Sequence, residues 1–119
     1  MTVRRIVPNV PVESPEALAA NRAFYGALGL AEAMNLGWIL TMTSPTNPTA
    51  QISFLTRDET APVVPDVSVE VDDVDAVHTA MKAAGAEIVH DLRDEDWGVR
   101  RFFVRDPQGR VVNVLSHRS

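Results

Sequence analysis

Within 119 residues one pattern occurs twice, a strand, a helix and three more strands, and such a duplication restricts the fold more than any other feature of the chain. The first copy opens with the extended stretch Arg4 to Val12. Ser14 then suits a helix N-cap and Pro15 the first helical turn. Ala17, Ala20, Phe24 and Leu28 recur at helical spacing, and Gly29 is placed to end the helix in a left-handed conformation. Three short strands are predicted behind it, Ala31 to Met34, Trp38 to Thr43 and Ala50 to Leu55. Thr56 to Pro65, with Pro62 and Pro65, reads as the linker.

The second copy begins with Asp66-Val67-Ser68-Val69-Glu70-Val71, which alternates with the period of a half-buried strand. Asp72 and Asp73 are helix-cap candidates, and with Asp72 as the cap Asp75 stands at capping-box spacing. Val74, Val77, Met81 and Ala84 supply the apolar stripe up to Gly85. Strands are predicted over Glu87 to Asp91, Val99 to Arg105 and Arg110 to Leu115, the last two joined by the turn Asp106-Pro107-Gln108-Gly109. The helix-ending glycines lie 56 positions apart, and the first and last strands superpose at offsets of 59 and 60. The expectation is a single α+β domain over residues 1–119. Its two βαβββ modules, about 4–55 and 66–117 with the linker at 56–65, form a curved mixed sheet around a concave pocket.

Composition narrows the chemistry. Hydrophobic residues at 45% and charged residues at 23% fit a chain that folds on its own. The absence of cysteine removes disulfides, thiolate zinc sites and thiol nucleophiles. The opening Met1-Thr2-Val3-Arg4-Arg5-Ile6-Val7-Pro8 lacks the apolar run of a signal peptide, and no stretch reaches about 18 apolar residues, so a cytoplasmic protein without a membrane partner is predicted. A net charge of -5 disfavours nucleic acid as a partner.

Phe24-Tyr25-Gly26-Ala27-Leu28-Gly29-Leu30 resembles the signature that ends the first helix of glyoxalase and bleomycin-resistance proteins. Trp97-Gly98-Val99-Arg100-Arg101 with Asp106-Pro107-Gln108-Gly109 is similar to the stretch closing the same fold, the vicinal-oxygen-chelate superfamily. The resemblance spans nearly the whole chain and implies a small-molecule ligand and a homodimer. It leaves function open among lyases, isomerases, dioxygenases and metal-free binding proteins.

In metal-using members of that family the ligands come from the first and last strand of each half, and the matching positions here are Val7, Ser53, Asp66 and Asn113. Only Asp66 is an ordinary ligand type, whereas a catalytic divalent ion takes about three protein ligands. No metal residues are therefore assigned and no cofactor is predicted, a divalent metal being disfavoured. His78, His90 and His117 are read as surface or helix-edge residues.

If Ser53 and Asn113 face a pocket, hairpin pairing that sets Leu40 opposite Ser53 and Phe102 opposite Asn113 puts Trp38, Leu40, Ser53, Asp66, Arg100, Phe102 and Asn113 around it, with Trp97 at the rim. Asp66 and Glu70 suit a cationic ligand, Arg100 suits a carboxylate or phosphate, and Asp66 and Arg100 also suit each other. Asp94-Glu95-Asp96 reads as a solvated loop. The functional expectation is a metal-independent binding protein that sequesters an antibiotic or metabolite. The alternative is an enzyme in which Asp66 or Glu70 is the general base and Arg100 stabilises developing negative charge.

Overall fold

The structure, a computed structural model, describes residues 2–118. Among them the elements follow the expected order: β1 (Val3–Pro11), α1 (Pro15–Ala27), β2 (Ala31–Asn35), β3 (Ile39–Thr43), β4 (Gln51–Leu55), β5 (Val67–Val71), α2 (Val74–Ala83), β6 (Ile88–Asp94), β7 (Val99–Arg105) and β8 (Val111–His117). The class is α+β, with parallel and antiparallel strand pairs mixed. None of the described helices is long and apolar enough to cross a membrane.

Two compact units emerge, one of Val7–Val64 and one running from Pro65 together with the chain's start through Ile6. β1 thus contributes residues to both units. Just ahead of the strand, within the unit from Pro65, Thr2 N donates to Asp72 Oδ1 at 2.9 Å and Asp72 N donates to Thr2 O at 3.1 Å.

The unit Val7–Val64 orders its strands β2-β3-β4-β1. Ser14 caps α1 by accepting from Ala17 N at 3.2 Å, with Pro15 behind it. Gly29, at φ +109°, closes the helix where Leu30 N donates to Tyr25 O. The buried stripe differs from the predicted one: Phe24 and Leu28 are exposed, and α1 packs through Leu18 and Tyr25 against Leu40, Met42 and Phe54. Both faces of the helix carry apolar residues at helical spacing, so periodicity alone does not choose between them.

The unit from Pro65 orders its strands β5-β8-β7-β6. Val74 and Val77 of α2 pack on Val71, Phe102, Val104 and Val114. Of the two cap candidates, Asp73 is the N-cap and accepts from Ala76 N at 3.1 Å. β6 continues to Asp94 and β8 to His117, each beyond its predicted end.

Register is what positions the side chains. β7 and β8 pair Phe103 with Asn113 and Phe102 with Val114, and β3 and β4 pair Thr41 with Ser53 and Leu40 with Phe54. Each hairpin is shifted by one residue from the predicted pairing. Around the Asp106 turn, Asp106 N donates to Arg110 O and Gly109 N to Asp106 O, with Gly109 at φ +88°. That leaves three loop residues where an even number was assumed, and an odd loop inverts the parity of the strand entering it. The longer loop of the other hairpin is likewise odd, closed where Ser44 N donates to Ala50 O.

Candidate functional site

The shift sorts the predicted residues onto two faces. Phe102 lies beneath α2, fully buried, with the His78 ring edge-on at 4.9 Å. Arg100 shares that face, donating from Nη2 to Asp75 Oδ1 of α2 at 3.0 Å and from Nη1 to Asp94 Oδ1 at 3.3 Å. The Arg100 bond holds the Asp75 carboxyl below its ordinary pKa, and Asp75 in turn raises that of Arg100. Leu40 is buried against α1 in the other unit. It also borders a depression of about 180 Å³ with Pro15, Leu18 and Arg22, smaller than the roughly 300 Å³ of ordinary ligand pockets. Leu40, Phe102 and Arg100 therefore lie on the helix-facing side of their strands, away from Ser53 and Asn113, and the ion-pair partners of Arg100 are Asp75 and Asp94 rather than Asp66.

Ser53 and Asn113 do stand on helix-distal faces, each within its own unit. In the unit Val7–Val64, Ser53 Oγ lies 2.7 Å from Thr41 Oγ1, and Asn9 is the register partner of Ser53 on β1. Trp38 is buried just ahead of β3, and its carbonyl accepts from Thr56 N.

In the unit from Pro65 the helix-distal face is a buried polar surface. Asn113 Nδ2 donates to Ser68 Oγ at 2.9 Å across the parallel β5–β8 pair. Beside it Arg101, almost fully buried, donates from Nε to Glu95 Oε2 at 2.6 Å. Its guanidinium lies 4.9 Å from the Trp97 ring centre and 4.8 Å from that of Phe103. Arg93 Nε reaches Glu95 Oε1 at 2.8 Å, and the His90 ring, against Phe103, has Nε2 3.4 Å from Glu95 Oε2. Glu95 is 1% exposed, so it is an ion-pair centre and not the solvated loop residue its acidic neighbours suggest. At the far end of the face Glu70 is ion-paired to Arg5 Nε, and its Oε2 lies 2.9 Å from His117 Nδ1.

Four buried side-chain atoms among the described residues make no hydrogen bond: Arg5 Nε, Glu70 Oε1, Glu95 Oε1 and Asn113 Oδ1. The first three belong to ion pairs. Asn113 Oδ1 does not. Whichever way the amide is turned, one of its polar atoms meets Ser68 and the other meets no protein group.

Asp66 is exposed and its carboxylate is already engaged, accepting from Val111 N at 2.8 Å, while its own N–H donates to Val111 O. No three His, Cys, Asp or Glu among the described residues are grouped to hold an ion. The donor set does not fit a catalytic metal, because Val7 offers no ligand atom and Ser53 and Asn113 only neutral oxygens. Arg5, Glu95, Arg101 and His117 were missed by sequence reasoning. The correct turn parity would have found Arg101 and Phe103, and the spacing Leu115-Ser116-His117 would have placed His117 on the face of Asn113.

A family model for the Glyoxalase/Bleomycin resistance protein/Dioxygenase superfamily matches residues 16–114. No curated protein sequence matches. The fold is similar to that of an NAD-dependent benzaldehyde dehydrogenase from Legionella pneumophila, with TM-score 0.72 and 16% identity over 95% of this chain and 99% of that one. A glyoxalase/bleomycin resistance protein/dioxygenase superfamily member from Vibrio splendidus matches at TM-score 0.63 and 16% identity over 97% and 99% of the two chains. Methylmalonyl-CoA epimerase from Mycobacterium tuberculosis matches at TM-score 0.67 and 17% identity over 98% and 88%.

Proposed function

Because the chain belongs to the Glyoxalase/Bleomycin resistance protein/Dioxygenase superfamily, we propose that it is a metal-independent small-molecule binding protein of the bleomycin-resistance type, sequestering an antibiotic or metabolite. The observation that carries this reading is the amide of Asn113, buried on the helix-distal face with one polar atom unanswered. Leaving such an atom unpaired costs about 1–3 kcal/mol, which a ligand group in hydrogen-bond contact offsets. Elsewhere on the same face are an aromatic ring, Trp97, stacked on Arg101, and two cations, Arg101 and Arg5, each already opposed by a buried carboxylate. A ligand would meet rings and hydrogen-bonding groups there, and little uncompensated charge. A homodimer belongs to the same proposal on the strength of the family resemblance.

Titration of intrinsic tryptophan fluorescence tests it, with bleomycin, other cationic and neutral antibiotics, and an acyl-CoA as probes, each with and without EDTA. At least one neutral or cationic probe should bind equally well in both conditions and lose about tenfold in affinity, 1.4 kcal/mol, in Asn113→Leu. Binding that appears only after nickel, manganese or zinc is added would defeat the metal-independent reading. So would dissociation constants all weaker than about 1 mM. The second reading, an enzyme acting on a small oxygenated metabolite, is favoured by one observation, the contact of Glu70 with His117.

A further inference from the structure

From that contact we propose that Glu70 and His117 form a proton-accepting dyad, with His117 presenting an unprotonated Nε2 to an O–H or C–H acid at the end of the helix-distal face. The proposal stands apart from ligand sequestration, since it concerns different atoms and is tested without the ligand.

Three features build the dyad. Glu70 is buried, and its two oxygens have different partners: Oε1 is ion-paired to Arg5 Nε, and Oε2 lies 2.9 Å from His117 Nδ1. Arg5 thus opposes the carboxylate and holds it in place, and a carboxylate facing a guanidinium accepts rather than donates, so Nδ1 carries the hydrogen. In a neutral imidazole the lone pair then sits on Nε2. The backbone is fixed as well. His117 pairs with Val99 across β7–β8, and the next residue is anchored where Arg118 N donates to Gly98 O at 2.8 Å and Arg118 Nη2 to Glu95 O at 2.6 Å. Finally, the His117 side chain is 57% exposed, so Nε2 is within reach of a bound molecule. The other two histidines differ. His90 is 9% exposed, packed on Phe103 beside Glu95, and His78 packs edge-on against Phe102 beneath α2.

In the step this permits, the X–H bond of the acid breaks and its proton joins His117 Nε2. The electron pair stays on X, and the imidazolium formed is stabilised by Glu70 Oε2. Glu70 is then a positioning residue, not the direct base the sequence suggested, because both of its oxygens are engaged within the protein.

Long-range proton–nitrogen correlation NMR reads the tautomer directly. In the wild-type protein at pH 8, His117 should carry its hydrogen on Nδ1, with Nε2 resonating as the unprotonated nitrogen. Glu70→Gln should shift it toward the Nε2–H form favoured by free histidine. Wild-type His117 found as the Nε2–H tautomer overturns the proposal even if Glu70→Gln fails to fold. The functional readout uses nitrobenzisoxazole, whose ring C–H is removed by a base as the N–O bond breaks to release a cyanonitrophenolate. Wild-type protein should open the ring faster than His117→Ala and Glu70→Gln variants of equal fold content, whereas equal rates for all three overturn proton acceptance by His117. Nitrobenzisoxazole turnover and antibiotic titration fail independently, so the two proposals are separable.

Discussion

Replacing Glu95 by Gln keeps the shape of the side chain and removes its charge from beneath two arginines. Glu95 lies 2.6 Å from Arg101 Nε and 2.8 Å from Arg93 Nε, and the Glu95 and Arg101 side chains are 0% and 4% exposed. At an effective dielectric constant of about 20, charges this close attract by roughly 6 kcal/mol before desolvation is counted. Arg101 cannot escape to water without abandoning its place between Trp97 and Phe103. The variant therefore takes the carboxylate charge away from a buried cation, and breaking a buried ion pair from one side costs about 3–5 kcal/mol. For a chain of this size, with a urea dependence of about 1–3 kcal/mol per molar, the unfolding midpoint should fall by about 2 M. Equilibrium urea unfolding followed by both circular dichroism and tryptophan fluorescence gives the number. Glu95→Gln/Arg101→Met should recover much of the loss, because removing both partners of a buried pair is far less costly than removing one. A single-variant loss below about 1 kcal/mol, the range of an exposed pair, would refute the placement of Glu95 as a buried ion-pair centre.

Asp75→Asn should change stability by no more than about 1 kcal/mol, since the Arg100–Asp75 pair is largely exposed and screened. Its pH dependence has a definite sign. The folded-state pKa of Asp75 is lowered from 3.8, so its contribution is complete above that value and disappears as pH falls through the folded value. Wild type and variant should therefore differ by a constant amount from pH 5 to 8 and converge only well below 3.8 in an acid-unfolding series. Gly109→Ala places a Cβ on a residue at φ +88° and should cost about 1–2 kcal/mol, read as a lowered urea midpoint. No loss would mean that the turn does not hold the conformation that sets the β7–β8 register.

The element order, Ser14 as a helix cap, Gly29 and Gly85 as helix ends and the Asp106–Gly109 turn were all legible in the sequence. Each rests on short-range backbone rules: a side-chain oxygen over a helix start, a residue able to take positive φ, a proline where no N–H is needed. Adjacent residues fix these rules, so the amino-acid order suffices for them. Which face of a strand a side chain occupies is different in kind. It depends on where the partner strand begins to pair, and one extra loop residue moves a whole row of side chains across the sheet. Hence Phe102 and Arg100 lie beneath α2, and Phe103 and Arg101 take the face assigned to them. The ion pairs follow the same logic. Arg5 and Glu70 are 65 positions apart and Glu70 and His117 are 47, and nothing local in the chain couples them. Asp94-Glu95-Asp96 is as acidic as any solvated loop, and only the return of β7 with Arg101 makes it favourable to bury the middle residue. The sequence by itself determined the elements and the family. Tertiary pairing alone decided which charges were brought out of water, because their desolvation is offset only where an opposite charge arrives from a distant strand.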